Sequence, residues 1–319
     1  MSLGEFDLIK KYFVRSGQRA VLGVGDDCAL LATRSGMQLS VTSDMLVEGR
    51  HFLSTVPPER LGHKALAVNL SDLAACGAEP MSFTLSLSLP RVEETFLEGF
   101  AQGLFALADA HGCELVGGDT TQGPLNVCIT AIGEVPAGEA LLRSGARAGD
   151  DIYVSGAVGD ARLALEAFRA NVSLDASAFE HARRAMECPV PRVVLGVALR
   201  GVAHSAIDVS DGLLGDLTHI LERSGVGATV DIDAVPRSAV MEAQPLAMQR
   251  LCTLAGGDDY ELVFTAPCDH ADQVRDAARR TGVRVTRIGH IEDTPGLRLI
   301  DRHGNAVQDR YASYDHFRS

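Results

Sequence analysis

The 319-residue chain has no C-x-x-C pair among its seven cysteines, Cys28, Cys76, Cys113, Cys128, Cys188, Cys252 and Cys268. An odd, scattered set is neither a zinc pattern nor a disulfide framework, and it suits a reducing cytosol. No run approaches the roughly 18 apolar residues of a membrane span. The opening MSLGEFDLIKK has no basic head followed by an apolar stretch, so no signal peptide is expected and a cytoplasmic location is. Positive charge is scarce. With 29 Lys and Arg against 42 Asp and Glu, the net charge is −13. That argues against nucleic acid and anionic membranes as partners, since both require basic surface. Phosphate ligands are not excluded, because metal ions bridge acid to phosphate.

The common nucleotide and nucleophile motifs are missing as well. There is no G-x-x-x-x-G-K-[ST], and Gly23-Val24-Gly25-Asp26-Asp27-Cys28 lacks the third glycine of a dinucleotide fingerprint. The protein-kinase set of Gly-rich loop, H-R-D and D-F-G does not occur, and neither does G-x-S-x-G. Any phosphate chemistry must therefore be built differently.

What is present describes a globular protein, 46% hydrophobic and 22% charged, long enough for two domains. Leu39 to Ser43 alternates as a strand delivering Asp44 at its end. Pro57-Pro58-Glu59 opens a long helix closed by Gly77. Ser82 to Leu89 alternates strictly as a half-buried strand, and Glu93 to His111 is an amphipathic helix. Cys113 to Val116 is a strand running into Gly117-Gly118-Asp119, and Leu125 to Val135 is another. Pro136-Ala137-Gly138 breaks the pattern, so the expected domains are residues 1–137 and 138–319. The second half repeats the alternation, with strands at 151–155, 206–208, 228–232, 260–265 and 283–291. Both halves read as α/β or α+β layers.

The organising stretch is Lys64 to Pro80, KALAVNLSDLAACGAEP. Its helix buries an apolar face interrupted by Asn69, Ser71 and Asp72. A carboxylate there needs a counter-ion, and no Lys or Arg lies within one turn of Asp72. The chain offers more acids instead, in Gly25-Asp26-Asp27, Thr42-Ser43-Asp44, Gly118-Asp119, Asp208-Val209-Ser210-Asp211 and Gly257-Asp258-Asp259. Gly149-Asp150 and Gly159-Asp160 read as turns, and Gly215-Asp216 as packing and solvated helix surface. The other acids follow apolar strands, where α/β folds place ligands. Asp27, Asp44, Asp72, Asp119 and Asp208 together would suit more than one Mg²⁺ with a polyphosphate. Two basic residues stand near them. By composition His51 reads as a surface-loop residue, and Arg143 equally as an exposed linker charge or a ligand contact.

Taken in order, Gly4-Glu5-Phe6-Asp7-Leu8-Ile9, Gly25-Asp26-Asp27-Cys28-Ala29, Thr42-Ser43-Asp44, His51-Phe52, the Lys64–Ala75 helix, Gly117-Gly118-Asp119-Thr120-Thr121, Asp208-Val209-Ser210-Asp211-Gly212-Leu213 and Gly257-Asp258-Asp259-Tyr260-Glu261-Leu262 resemble the thiamine-monophosphate kinase family. The match reaches Tyr314-Asp315-His316-Phe317. The wider superfamily of aminoimidazole ribonucleotide synthetase and selenophosphate synthetase shares the acidic motifs but not the full set.

The resemblance implies a two-domain α/β (α+β) fold of the aminoimidazole ribonucleotide synthetase type. In it the N-terminal sheets pair across a homodimer and a C-terminal α/β domain follows. It implies direct transfer of the ATP γ-phosphoryl to thiamine monophosphate, the last step to thiamine diphosphate. Carried over by position, Asp27, Thr42, Ser43, Asp44, Asp72, Asp119 and Asp208 would hold Mg²⁺ ions, with Asp72 shared and Asp211 taking a further ion. Gly118, Asp119, Arg143 and Ser210 would contact ATP. His51, Asp258 and Tyr314 would contact the thiamine phosphate, and no protein nucleophile is implied.

Two departures stand out. Asp258 occupies a position where the family usually has Glu, and Ser313 one where it has Gly. Two alternatives stay open: a related ATP-dependent synthetase with another small acceptor, or a catalytically silent Mg²⁺–nucleotide-binding module. A selenophosphate synthetase would carry a reactive Cys near a Gly-rich N-terminus, whereas the first cysteine here, Cys28, lies inside an acidic motif.

Overall fold

The computed structural model describes residues 4–15, 17, 19–25, 27–308 and 311. The chain divides into two compact units, Met1–Leu73 with Ala78–Gly138, and Ala74–Gly77 with Glu139–Ser319. No helix among the described residues is long and apolar enough to cross a membrane.

The first unit opens with helix α1 (Glu5–Tyr12) and a small antiparallel pair, β1 (Ala20–Leu22) and β2 (Leu30–Leu31). Its main sheet holds β3 (Met37–Val47), β4 (Glu79–Leu89), β5 (Glu114–Gln122) and β6 (Asn126–Pro136), in the order β3-β6-β4-β5. Helix α2 (Pro58–Ala75) precedes β4, and α3 (Glu94–Ala110) joins β4 to β5. That crossover makes β4 and β5 parallel, while the other pairs are antiparallel.

Helix α3 buries Leu97, Phe100, Ala101, Leu104, Leu107 and Ala108, the single stripe expected of an amphipathic helix. Helix α2 is covered on nearly all sides: Leu61, Leu66, Leu70 and Leu73 are fully buried, and so are Asn69 and Ser71. The two helices meet backbone to backbone. A Cβ on Gly103 would fall 1.8 Å from the Glu59 carbonyl oxygen, and one on Gly62 would fall 2.0 Å from that of Phe100. Glycine at both positions lets α2 and α3 approach this closely.

The second unit has a six-stranded sheet in the order β12-β9-β11-β7-β10-β8. The strands are β7 (Asp150–Ser155), β8 (Ser205–Asp208), β9 (Gly227–Asp231), β10 (Leu262–Pro267), β11 (Val285–Glu292) and β12 (Gly296–Ile300). Its helices are α4 (Asp160–Phe168), α5 (Ala176–Glu187), α6 (Val193–Ala198), α7 (Leu213–Ser224), α8 (Ala239–Glu242), α9 (Leu246–Ala255) and α10 (Ala271–Thr281). The alternation of strand and helix does not produce a parallel sheet here. Only β12 and β9 pair in parallel, because β7 takes both of its neighbours, β10 and β11, from the far end of the chain. One core lies between α7 (Leu213, Leu217, Ile220) and the sheet (Ile152, Val154, Ile207, Val263). A second joins α4, α5, α8 and α9 through Leu163, Ala182, Met241 and Cys252.

Candidate active site

In the first unit Asp72 faces the sheet. Thr42 Oγ1 on β3 donates a short hydrogen bond to Asp72 Oδ2. Asp44 stands two residues further along β3 and therefore on the same face. The sequence placed Asp44 at a strand end. The strand in fact continues to Val47, and Asp44 lies opposite Ile129 of β6. The polar residues in this stretch hid the continuation, but eleven backbone pairings to β6 carry the strand through them. Burial, and then the Asp72 charge, push the Asp44 carboxyl up to about 7. Two acids that repel each other in a partly buried place, beside a hydroxyl, form an all-oxygen donor set of the kind a hard cation takes.

The other proposed ligands of this unit stand apart from that pair. Strand alternation turns Ser43 to the opposite face, where its hydroxyl meets Thr130 Oγ1 at 2.9 Å. Asp119 belongs to β5 and pairs with Ser86. The sequence ended that strand at Val116. A bulge there lets pairing resume at Gly117 and run to Gln122, so Gly118 and Asp119 lie within the strand. β3 and β5 are opposite edges of the sheet, roughly 14 Å apart at about 4.8 Å per strand. Gly118 has a structural reason of its own: its φ is +145°, and a Cβ would fall 1.8 Å from the Leu85 carbonyl oxygen. Asp27 is exposed between β1 and β2. Among the described residues no three His, Cys, Asp or Glu side chains are grouped to hold one ion.

His51 is a half-buried turn residue just after β3. Its N–H donates to the Val47 carbonyl at 3.0 Å, and its Nδ1 accepts the Val47 N–H at 3.0 Å. An accepting Nδ1 puts the proton of the neutral ring on Nε2. Lys64, only 2% exposed on α2, donates from Nζ to the His51 carbonyl at 3.1 Å. Lys64 was not singled out from sequence, where it reads as the start of an apolar helix.

In the second unit Asp208 is the buried last residue of β8 and pairs with Leu262. Ser210 and Asp211 follow in the turn into α7. Asp216, read from sequence as packing and solvated helix surface, is buried at 2% exposure. Its Oδ2 accepts the N–H groups of Ser210, Asp211 and Gly212 at 3.0, 3.1 and 3.1 Å. Burial and the nearby Asp211 push its carboxyl up to about 7, against the pull of those three donors. An acid in the first turn of a helix was the available signal, since such a residue reaches back to the open amides. Asp258 is half-buried on the segment before β10, and its N–H donates to the Ser210 carbonyl at 2.8 Å. Arg143 is exposed. Tyr314 and Ser313 lie outside the described residues.

The family description "AIR synthase related protein, N-terminal domain" matches residues 25–135, and its C-terminal counterpart matches residues 147–302. The thiamine-monophosphate kinase of Salmonella typhimurium is 47% identical over 99% of both chains. The chain belongs to the thiamine-monophosphate kinase family. The crystal structure of thiamine-monophosphate kinase from Stenotrophomonas maltophilia K279a superposes with a TM-score of 0.87 at 46% identity, covering 96% of this chain and 99% of that one. AaThiL, solved in complex with AMPPCP and TMP, gives a TM-score of 0.78 at 29% identity over 90% and 89% of the two chains.

The candidate residues of the thiamine-monophosphate kinase pattern fall in both units. Thr42, Asp44, Asp72 and His51 lie in the first unit, and Asp208, Ser210, Asp211 and Asp258 lie in the second. Beside them stand Lys64, bonded to the His51 carbonyl, in the first unit and Asp216, bonded to the 210–212 amides, in the second.

Proposed function

We infer that this chain transfers the γ-phosphoryl group of ATP to the phosphate of thiamine monophosphate, giving thiamine diphosphate and ADP. The observation that carries the reading is full-length identity of 47% to a thiamine-monophosphate kinase. The chemistry suits the residues. The acceptor is a phosphate already ionised at neutral pH, so no strong general base and no protein nucleophile are required. The obstacle is repulsion between two polyanions on a protein of net charge −13.

Magnesium fits the donor set of Thr42, Asp44 and Asp72, and Asp27, Asp119, Asp208 and Asp211 are the further candidates in this reading. Bound there, Mg²⁺ would neutralise phosphate charge and clamp phosphate oxygens. The chain's own residues orient the partners. His51, with its proton on Nε2, offers an N–H donor to the thiamine phosphate, and Asp258 and Tyr314 complete that side. Arg143, Ser210, Gly118 and Asp119 are assigned to ATP. Shortening His51 to Ala is expected to raise KM for thiamine monophosphate about tenfold with KM for ATP little changed. Steady-state kinetics with each substrate varied in turn check this, and an unchanged KM returns His51 to a purely structural part of its loop.

A homodimer in the cytoplasm belongs to the same reading. Strand β3 is a sheet edge, and Leu39, Val41 and Met45 on its outer face are 47%, 61% and 55% exposed. A second copy covering that row would remove both the open edge and the apolar surface. Sedimentation velocity at micromolar concentration tests this, and a monomer there contradicts it.

Phosphorus NMR of the protein with ATP, thiamine monophosphate and Mg²⁺, repeated with EDTA, tests the reaction. Thiamine diphosphate and ADP should appear together and only with metal. ADP with inorganic phosphate would move the acceptor to another molecule, and unchanged ATP would leave only a binding module.

A further inference from the structure

The segment joining α9 to β10 has an unusual backbone. Asp258 and Tyr260 both have left-handed φ, +67° and +52°, which residues with side chains rarely adopt. Something must hold it there. On the backbone, the N–H groups of Asp258 and Tyr260 donate to the carbonyls of Ser210 and Val209, each at 2.8 Å. The Tyr260 hydroxyl donates to Asp258 Oδ1 at 3.0 Å.

Asp259 and Glu261 are tied to other elements. Asp259 accepts the Gly159 N–H at the start of α4, at 2.9 Å to each oxygen. Glu261, 5% exposed, is gripped from two sides. Arg192, just before α6, donates from Nε to Glu261 Oε2 at 2.7 Å and from Nη2 to Oε1. Ser155, at the end of β7, donates to Oε2 at 2.5 Å, and its oxygen accepts the Leu262 N–H at 2.9 Å. Any Cβ on Gly156 would fall 1.9 Å from Glu261 Oε1, so glycine there leaves room for the carboxylate. A buried carboxylate with a bidentate guanidinium is a stiff joint.

We propose that the Arg192–Glu261 ion pair is a positioning clamp for recognition of thiamine monophosphate, holding the 258–261 backbone so that Asp258 meets the substrate. The proposal rests on the reading of Asp258 as a substrate-side residue. Without the guanidinium, Glu261 is a buried anion lacking its main counter-charge. It turns towards water, and the two left-handed residues relax.

The test is kinetics on the full chain for Arg192→Gln, Arg192→Lys, Asp258→Ala and the double variant Arg192→Gln with Asp258→Ala, with urea melts alongside. Arg192→Gln is expected to raise KM for thiamine monophosphate about tenfold while KM for ATP stays within about twofold. Arg192→Lys, which keeps the charge but loses the fork, recovers part of that. If Arg192 acts through Asp258, the double variant is no worse than Asp258→Ala alone. Multiplying effects, or an unchanged KM in Arg192→Gln, would overturn the clamp. An unchanged KM in Asp258→Ala would overturn the substrate-side reading itself, and the clamp with it. Should Arg192→Gln fail to fold, Glu261→Gln keeps the side-chain shape, removes the charge and must show the same selective rise.

Discussion

Replacing Asp72 with Asn is expected to lower kcat about 100-fold, with a raised Mg²⁺ requirement and an unchanged fold. Asn keeps the shape of the side chain and an oxygen that can still accept from Thr42 Oγ1. Its neighbours along α2, Leu70, Ser71 and Leu73, are fully buried. The negative charge beside Asp44 is what disappears. Removing it also relieves the repulsion that helps push the Asp44 carboxyl up to about 7. The metal-free variant should therefore melt no lower than the wild type, which separates lost chemistry from lost structure. Turnover across a Mg²⁺ titration decides the matter. Near-wild-type kcat at saturating Mg²⁺ would take Asp72 out of the metal site.

Replacing Asp216 with Ala should be costlier to the fold, by roughly 3 kcal/mol, since three backbone N–H groups lose their shared carboxyl oxygen at once. Those amides belong to Ser210, Asp211 and Gly212, the turn that follows Asp208. Their disorder should raise KM for ATP about tenfold. Asn at the same position keeps one acceptor oxygen, and its destabilisation should be about 1 kcal/mol. Urea unfolding followed by fluorescence and circular dichroism gives the first quantity, initial rates the second. An Ala variant as stable as the wild type would mean that water serves the three amides equally well.

Both results depend on features with unequal visibility in the sequence. Local signals sufficed for α2, bracketed by Pro57-Pro58 and Gly77, and for α3, because a helix satisfies its hydrogen bonds within itself and α3 shows its buried stripe every three to four residues. It was less adequate for strands. The sequence stopped one strand at Ser43 and another at Val116, yet backbone pairing with β6 and β4 carries them to Val47 and Gln122. A strand's partner lies far along the chain and leaves no mark on its neighbours in sequence. The same reason explains why alternating strands and helices in the second unit build a largely antiparallel sheet.

The amino-acid sequence by itself determined the family, the class of reaction and the acidic motifs, because these are carried by ordered residue types that no rearrangement of the chain alters. Tertiary structure decided which of those acids share a face. It set Thr42, Asp44 and Asp72 together while sending Ser43 to the other side of β3 and Asp119 to the far edge of the sheet. It also decided that Asp216 is a buried anchor, and that Arg192 and Glu261, 69 residues apart, form one ion pair. The physical reason is common to all of them. A charge becomes structural only when burial removes its water and another part of the chain must replace it, and that substitution is made across distances in sequence that no local pattern records.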